Sequence, residues 1–235
     1  MTLFALDSSG KTSSVAILKD NEIISESFLN EGLTHSETLL VQIDRVFVQS
    51  KIKPEDIDYY AITIGPGSFT GLRIGISTIK GLAFPYNTRC IPVSTLQALA
   101  VSSLAKDTLT IPVIDARRDR VYTAAYEKSN EGMPLSILKE SIMTLRELQE
   151  YILTIKKQIH FIGDISNRCY EYCKDYIENI SKPETEKYIL ARDIAAIALK
   201  KIERNEVVYA SELTPVYLQL SQAERERLER EGKEN

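Results

Sequence analysis

Gly65-Pro66-Gly67-Ser68-Phe69-Thr70-Gly71-Leu72-Arg73-Ile74-Gly75 is the stretch that decides the fold. It follows the apolar run Tyr59 to Ile64, so it predicts a buried strand, a sharp glycine turn and a helix with Ser68 at its N-cap. Gly71 and Gly75 leave one face of that helix without side chains, which lets another part of the protein approach closely. Either a second subunit or another helix of the same chain would satisfy this pattern.

The spacing of these glycines excludes two common phosphate-binding loops. No Lys-Ser or Lys-Thr pair follows a glycine at the P-loop distance. Gly65, Gly67 and Gly71 also carry one residue too many for the dinucleotide-binding pattern. A helix N-terminus beside a turn still suits an anion. The stretch by itself therefore identifies no ligand.

The two halves of the sequence repeat one order of predicted elements. Leu3 to Asp7 is an apolar run closed by an acid, and Ile111 to Asp115 repeats that pattern 108 positions later. After each run come a polar turn, strand-like segments, a helix and an apolar strand that ends at Gly65 or Gly163. The repeat predicts two lobes with a cleft between them, at residues 1–105 and 106–212. A C-terminal helix over residues 213–230 is expected to pack back on the first lobe.

The composition is that of a globular protein, with 43% hydrophobic and 26% charged residues in a chain of 235. No apolar run approaches the roughly 20 residues that cross a bilayer, and the first residues lead directly into a predicted strand. Three cysteines form no secreted-type disulfide framework. We therefore expect a cytoplasmic protein without a membrane segment. Because the net charge is −4 and no Lys/Arg cluster is present, we expect a partner to hold any nucleic acid.

Histidine is too scarce to suggest a histidine-based catalytic or metal site. The chain has two, His35 and His160, far apart in sequence, and we predict neither catalytic residues nor metal ligands in it. Cys169 and Cys173 lie four residues apart on a predicted helix, where they could clamp a soft metal ion. Without a second pair, buried thiols are the favoured interpretation.

Four further motifs occur in the order that is typical of one family. They are Asp7-Ser8-Ser9, His35-Ser36-Glu37, the turn Asp115-Ala116-Arg117-Arg118, and Pro215-Val216-Tyr217-Leu218. With the glycine-rich stretch they resemble the TsaB family, formerly YeaZ, which is a paralogue of the TsaD family. Ser8 replaces the usual Thr, and Gln219 stands where an Arg is common, which puts an anion contact at position 219 in doubt.

The resemblance implies the α/β fold of actin-like ATPases, also called ribonuclease H-like, with two duplicated lobes that each hold a mixed sheet flanked by helices. It also implies a role in making N6-threonylcarbamoyladenosine at position 37 of tRNA. In that pathway TsaC supplies threonylcarbamoyl-AMP, TsaD transfers the group to tRNA, and the ATPase TsaE binds the TsaB–TsaD pair. The implied partners are TsaD, TsaE and TsaC, with tRNA reached only through the complex and a homodimer when the chain is alone.

Fold relatives use acids at the two first turns to hold metal-bound nucleotide phosphates. Asp7 and Asp115 occupy those positions, but the best second-lobe candidate for a nucleotide loop, Gly163 to Asn167, is poor in glycine. Arg117 and Arg118 suit a phosphate or a partner's carboxylate, and ordinary turn arginines explain them equally well. The candidate nucleotide- or anion-binding residues are Asp7, Ser8, Ser9, Asp115, Arg117 and Arg118.

The resemblance also favours a partner subunit over an enzyme. TsaD-like enzymes carry a His-x-x-x-His metal pair on the helix after the strand that ends here at Val93, and Thr95 and Leu99 occupy those places. We expect no cofactor in the chain alone and leave open an ATP or ADP at a complex interface. The alternatives are a small-molecule kinase of the same fold and a glycoprotease-type metallopeptidase.

Two first-lobe helices form the predicted association surface. One follows Gly65 and spreads apolar residues around more of its circumference than one sheet contact covers. The other begins at a capping box made by Thr34 and Glu37. We expect both to pair with the same helices of TsaD, or of a second copy, as a four-helix bundle, and Gly75→Arg to block this pairing while the monomer stays folded. The predicted interface comprises His35, Leu39, Leu40, Ile43, Phe69, Gly71, Leu72, Gly75, Ile76 and Ile79.

Overall fold

Two five-stranded sheets with helices on their faces make up the chain, which a computed structural model describes over residues 1–30, 34–185 and 187–219. The first half runs β1 (Thr2–Asp7), β2 (Ser13–Lys19), β3 (Glu22–Leu29), α1 (His35–Ser50), β4 (Tyr59–Gly65), α2 (Phe69–Ala83), β5 (Arg89–Ser94) and α3 (Thr95–Val101). The second runs β6 (Thr108–Asp115), β7 (Arg120–Lys128), β8 (Pro134–Thr144), α4 (Leu145–Ile152), β9 (Gln158–Ile162), α5 (Ser166–Cys173), β10 (Ile180–Ser181) and α6 (Ala191–Glu203).

Both sheets have the same topology. Their strand orders are β3-β2-β1-β4-β5 and β8-β7-β6-β9-β10. In each sheet the first three strands of the half pair antiparallel, and the next two are added in parallel beside the first strand. This arrangement confirms the predicted fold class, an α/β protein of the actin-like type with duplicated mixed sheets. Within the part of the chain that is described, no helix has both the length and the apolar character required to span a membrane.

Helices cover both faces of the first sheet. Successive strand residues point to opposite faces, and because both sets are buried, each face needs a covering layer. On one face, Phe4 and Leu6 of β1 share a core with the buried sides of α1 and α2. On the other face, Leu3 and Ala5 share a core with α6. The first sheet is therefore the middle layer of a three-layer sandwich.

The last helix of each half packs on the sheet of the other half. Ile194 and Ile197 of α6 lie in the core formed by β1, β2, β4 and β5, although α6 follows the second sheet in sequence. Leu96 of α3 packs with Tyr122 and Tyr126 of β7 in the second half. Residues 191–203, which we had placed in a second lobe at 106–212, therefore associate with the first sheet. The apolar side of α6 indicated burial, but it did not indicate which sheet would cover it.

The stretch expected to start a C-terminal helix is not helical over residues 213–219. Pro215 explains this, because a proline disfavours helical geometry in the residue before it. The segment does return to the first lobe, as expected, since Leu213 is 1% exposed in the α1–α2 core and the Val216 amide donates to the Ile64 carbonyl at 2.7 Å. The rest of the predicted helix, residues 220–230, lies outside the described residues.

The exchange of helices predicts that α3 stabilises both halves together. Leu99 is 2% exposed, shares a core with α6 and Ile162, and contacts Gly163. Leu99→Ala should lower the free energy of unfolding by about 2–5 kcal/mol in urea titrations, because the cavity forms between two sheets. The control is Leu153→Ala, a residue that is 55% exposed at the end of α4, which should change stability by less than about 0.5 kcal/mol. Equal effects of the two changes would contradict a shared core.

Candidate functional site

The glycine face of α2, which was expected to receive a second subunit, is instead filled by the chain's own first turn. A Cβ atom at Gly71 would lie 2.1 Å from the carbonyl oxygen of Ser8, and one at Gly75 would lie 2.2 Å from the Ser8 hydroxyl. The Ser8 hydroxyl donates to the Gly71 carbonyl at 2.9 Å, and the Ser68 amide donates to the Ser9 carbonyl at 2.7 Å. The glycines of α2 therefore allow the turn after β1 to lie directly on the helix.

This packing corrects two sequence-based expectations. Gly71 and Gly75 are buried within the chain and cannot contact a partner. An arginine at position 75 would also meet Leu6 and Ile62 in addition to the Ser8 hydroxyl, so Gly75→Arg would disturb the fold and does not test association. The interpretation that the glycines serve close packing within the chain is correct, but the packed element is a turn and not a helix.

Asp7 lies at the centre of the first turn and is almost completely enclosed, with 1% exposure. Its Oδ1 atom accepts hydrogen bonds from the Ser9 amide at 3.1 Å, the Ser9 hydroxyl at 2.6 Å and the Thr63 hydroxyl at 2.5 Å. Its Oδ2 atom is buried without a hydrogen-bond partner. Burial raises the pKa of Asp7, although these hydrogen bonds and the nearby His35 oppose the shift. The carboxyl group is therefore biased toward its neutral form.

Thr63 is a site residue that the sequence did not reveal. It follows Ile62 on β4, and β4 pairs in parallel with β1, so its hydroxyl comes to lie beside Asp7. The only signal was a hydroxyl residue within an apolar strand. Such a residue needs a hydrogen-bond partner when it is buried.

His35 begins α1 and connects it to the same turn. Its Nε2 atom lies 2.9 Å from the Gly10 carbonyl oxygen, and its ring lies beside Gly71. The residue is half-buried. Its contacts are thus made inside the chain, in the turn that holds Asp7.

The second first-turn group has the opposite character, because it is exposed. The Arg117 amide donates to the Asp115 carboxylate at 2.8 Å, and the Asp115 amide donates to Asp164 at 3.3 Å. Arg117, Arg118 and Asp119 all have left-handed backbone conformations, with φ values of 62°, 53° and 58°, which cost roughly 1–2 kcal/mol for each non-glycine residue. An ion pair between Asp119 and Arg168 of α5 holds the end of the turn.

The candidate anion-binding residues therefore fall into two groups. Asp7, Ser8 and Ser9 are buried in the first lobe, whereas Asp115, Arg117 and Arg118 face solvent. Across residues 1–30, 34–185 and 187–219, no hydrogen bond or ion pair joins one group to the other. The exposed group is the one whose side chains are available to a ligand.

Burial also divides the predicted association surface. Most of its apolar members lie in the core of this chain, with exposures of 4% or less: Leu39, Ile43, Leu72, Ile76 and Ile79. These residues support α1 and α2 and cannot form an interface, which corrects the prediction. Leu40 is 64% exposed, and its neighbours Val41 and Val48 are 69% and 68% exposed. Phe69 is half-buried because the ring of Tyr217 stacks on it, with 4.2 Å between ring centroids.

A half-buried polar cluster joins the two halves beside Thr95 at the start of α3. Glu140 of β8 accepts hydrogen bonds from the Ser94 hydroxyl, at the N-cap of α3, and from the Tyr126 hydroxyl at 3.4 Å. Burial raises the pKa of Glu140. Thr95, next to Ser94, is buried and its hydroxyl has no partner, while Leu99 is a core residue. The sequence analysis missed Glu140, since nothing in β8 distinguished one acid in a polar strand.

The three cysteines are buried thiols, as the favoured interpretation predicted. Cys169 and Cys173 lie on α5, and burial raises the pKa of Cys173 to about 11 and that of Cys169 still further. Both therefore stay protonated near neutral pH, which is unfavourable for metal binding. His160 is half-buried on β9, where burial lowers its pKa.

Comparisons with known proteins agree with the geometry. Residues 23–225 match the family model described as TsaD: tRNA N6-adenosine threonylcarbamoyltransferase. The tRNA threonylcarbamoyladenosine biosynthesis protein TsaB of Bacillus subtilis is 27% identical, over 95% of this chain and 96% of that protein. The protein of the same name from Haemophilus influenzae is 37% identical over 52% of each chain. The solved structure titled YeaZ from Pseudomonas aeruginosa has a TM-score of 0.78 and 25% identity, over 92% of this chain and 99% of that one.

The environment of Asp7 predicts a specific pH dependence. Because the folded state raises the pKa of Asp7 above its ordinary value of 3.8, the folded state binds the proton more tightly than the unfolded state. Its contribution to stability is therefore fully present at low pH and declines as the pH rises above about 4, by up to about 1.4 kcal/mol per pH unit. Asp7→Asn removes this decline, so the stability of the variant relative to the original chain should rise between pH 4 and pH 7 in urea titrations.

Asp7→Ala is the matched control, because it also removes the acceptor of the Ser9 and Thr63 hydroxyls. It should cost about 1–3 kcal/mol, since two buried donors lose their partner. Parallel pH profiles of the original chain and Asp7→Asn would show that Asp7 does not titrate in this way.

Proposed function

The chain belongs to the TsaB (YeaZ) family of tRNA threonylcarbamoyladenosine biosynthesis proteins, within the broader TsaD family, and we propose that it acts there as the partner subunit of the TsaD transferase. The observation that carries this proposal is the set of exposed apolar residues on α1, Leu40, Val41 and Val48. On that proposal the protein works in the cytoplasm, with TsaE joining the pair and tRNA reached through the complex. TsaC supplies the activated substrate.

The exposed side of α1 carries three large apolar residues, Leu40, Val41 and Val48, beside the charged residues Asp44 and Arg45. Val41 and Val48 are seven residues apart, two turns of helix, and Leu40 lies next to Val41. All three side chains are more than 60% exposed. The opposite side of α1, with Leu39, Ile43 and Val46, is already buried in the first-lobe core. The helix therefore buries one apolar side in its own chain and leaves three further apolar residues available to another protein.

A TsaD subunit is the occupant that we propose for this face. The match to the TsaD family model, residues 23–225, includes both α1 and α2, so a TsaD chain is expected to offer equivalent helices. Two related helix pairs can then pack about a pseudo-twofold axis as a four-helix bundle. In the absence of TsaD, a second copy of this chain would take the same place.

The proposed role is non-catalytic, and the first turn supports it. A kinase or ATPase needs an ionised acid that a metal-bound nucleotide can reach, whereas Asp7 is 1% exposed and its Oδ1 atom is fully used by hydrogen bonds. These residues do not fit a metal–nucleotide complex held by this chain alone. Thr95 and Leu99, in place of a histidine pair, support the same role.

A nucleotide held at the interface of a complex is compatible with the second turn. Asp115, Arg117 and Arg118 are exposed, and the left-handed backbone of the turn is fixed by Asp164 and Arg168. We propose that, if ATP or ADP binds to the assembled complex, these two arginines are the groups that this chain can offer to its phosphates.

Leu40→Arg tests the α1 face. A charge at this exposed position should weaken association with TsaD, and any self-association, at least about tenfold, because desolvating an unpaired cation is unfavourable. Size-exclusion chromatography with light scattering measures both. The control is Leu153→Arg, an equally exposed leucine at the end of α4 in the second half, which should leave association unchanged. Equal weakening by both variants would contradict the assignment to α1.

Reconstitution tests the partner role directly. With purified TsaC, TsaD, TsaE, tRNA, threonine, bicarbonate and ATP, modified adenosine should appear only when this chain is present. The Leu40→Arg variant should require a higher concentration to restore the product, since its defect is in association. Formation of product by this chain without TsaD would contradict the proposal.

Nucleotide titration tests the second turn. We expect ADP binding by calorimetry to be absent for the chain alone. If the assembled complex binds ADP, Arg117→Ala should weaken that binding about five- to tenfold, the loss of one charge-assisted hydrogen bond. The control is Arg146→Ala, an exposed arginine on α4. Tight ADP binding by the chain alone would contradict the assignment of Asp7 to a structural role.

A further inference from the structure

The segment Leu213 to Gln219, which we name the strap, contacts both halves of the molecule. In the first half, Leu213 lies in the α1–α2 core and the Val216 amide bonds to the carbonyl of Ile64 at the end of β4. Tyr217 then stacks on Phe69, in the first turn of α2, and its hydroxyl accepts a hydrogen bond from Arg73 at 2.9 Å.

The next two residues, Leu218 and Gln219, attach the strap to the second half. Leu218 packs against the apolar cluster that contains Tyr122 and Tyr126 of β7. The Gln219 side chain donates to the Tyr122 hydroxyl and accepts from Arg120 at 3.2 Å. Tyr122 lies opposite Ile114 in the sheet, so this attachment is beside the end of β6, next to Asp115.

The strap thus crosses the edge where the parallel strands of both sheets end. It passes so close to β4 that a Cβ atom at Gly65 would lie 2.2 Å from the Val216 carbonyl oxygen. In α/β proteins this edge is the position at which ligands enter. The strap leaves the α2 side of the first sheet and reaches the second sheet within three residues, Val216 to Gln219.

From this geometry we infer that the strap couples the two halves of the molecule. Its contacts with the first half and its contacts with the second half stabilise each other. Docking of Tyr217 on α2 positions Gln219 at Tyr122, and release at either end loosens the other. The strap thereby fixes the distance between the first turn of α2 and the turn at residues 115–120. This property concerns the isolated chain and does not depend on the proposed partner role.

Hydrogen exchange of the whole chain, read by NMR or mass spectrometry, tests this coupling. Phe69→Ala removes the first-half anchor, and it should speed the exchange of amides in residues 116–122 of the second half about tenfold or more. The control is Phe84→Ala at the other end of α2, a residue that is 79% exposed. It should leave that region unchanged. Unchanged exchange at 116–122 in Phe69→Ala would overturn the inference.

The coupling can also be tested from the second half toward the first, because the chain contains no tryptophan. Tyr217→Trp introduces a single indole that should stack on Phe69, and acrylamide quenching then reports how well it is covered. Tyr122→Phe, which removes the hydroxyl that Gln219 contacts, should increase the quenching. Tyr126→Phe is the control, because that hydroxyl bonds to Glu140 on the neighbouring strand β8 and not to the strap. Equal quenching in the two backgrounds would overturn the coupling even if Phe69→Ala failed to fold.

Discussion

The structure depends on the burial of α3 and α6, each on the sheet of the opposite half. Both helices are short, and their apolar sides would be exposed if each half folded by itself. Because Leu99, Ile162 and Ile197 share one core, neither half can complete its interior without the other. This requirement explains how two small five-stranded sheets form one stable unit.

Fold relatives use the first turn to bind nucleotides, whereas in this chain the same turn supports a helix. A short turn after β1 is ordinarily available to phosphates, but here Ser8 and Ser9 fill the glycine face of α2 and Asp7 is enclosed by hydroxyl groups. The same contacts hold α2, and through His35 they hold the start of α1. The positions expected to bind a ligand therefore set the orientation of the two helices that carry the proposed association surface.

Much of the fold was predictable because its signals are local. The duplicated apolar runs predicted both sheets, and the capping box at Thr34 and Glu37 predicted the start of α1. What failed was decided by distant contacts. Helical periodicity placed Leu39, Leu40 and Ile43 together on an apolar side of α1. It could not show that Leu39 and Ile43 are buried in the chain's own core while Leu40 is exposed. In the same way, Thr63 joins Asp7 only because β4 pairs with β1, and α6 reaches the first sheet only in three dimensions.

The turn from Arg117 to Asp119 combines an unfavourable backbone conformation with exposed charge. Three successive residues with side chains adopt a left-handed conformation that glycine would adopt without a steric penalty. Glycine at Arg117 and Arg118 would therefore relieve the backbone, but it would also remove the two cations that the tip of the turn presents to solvent. Stabilising substitutions at this corner thus come at the expense of its positive charge.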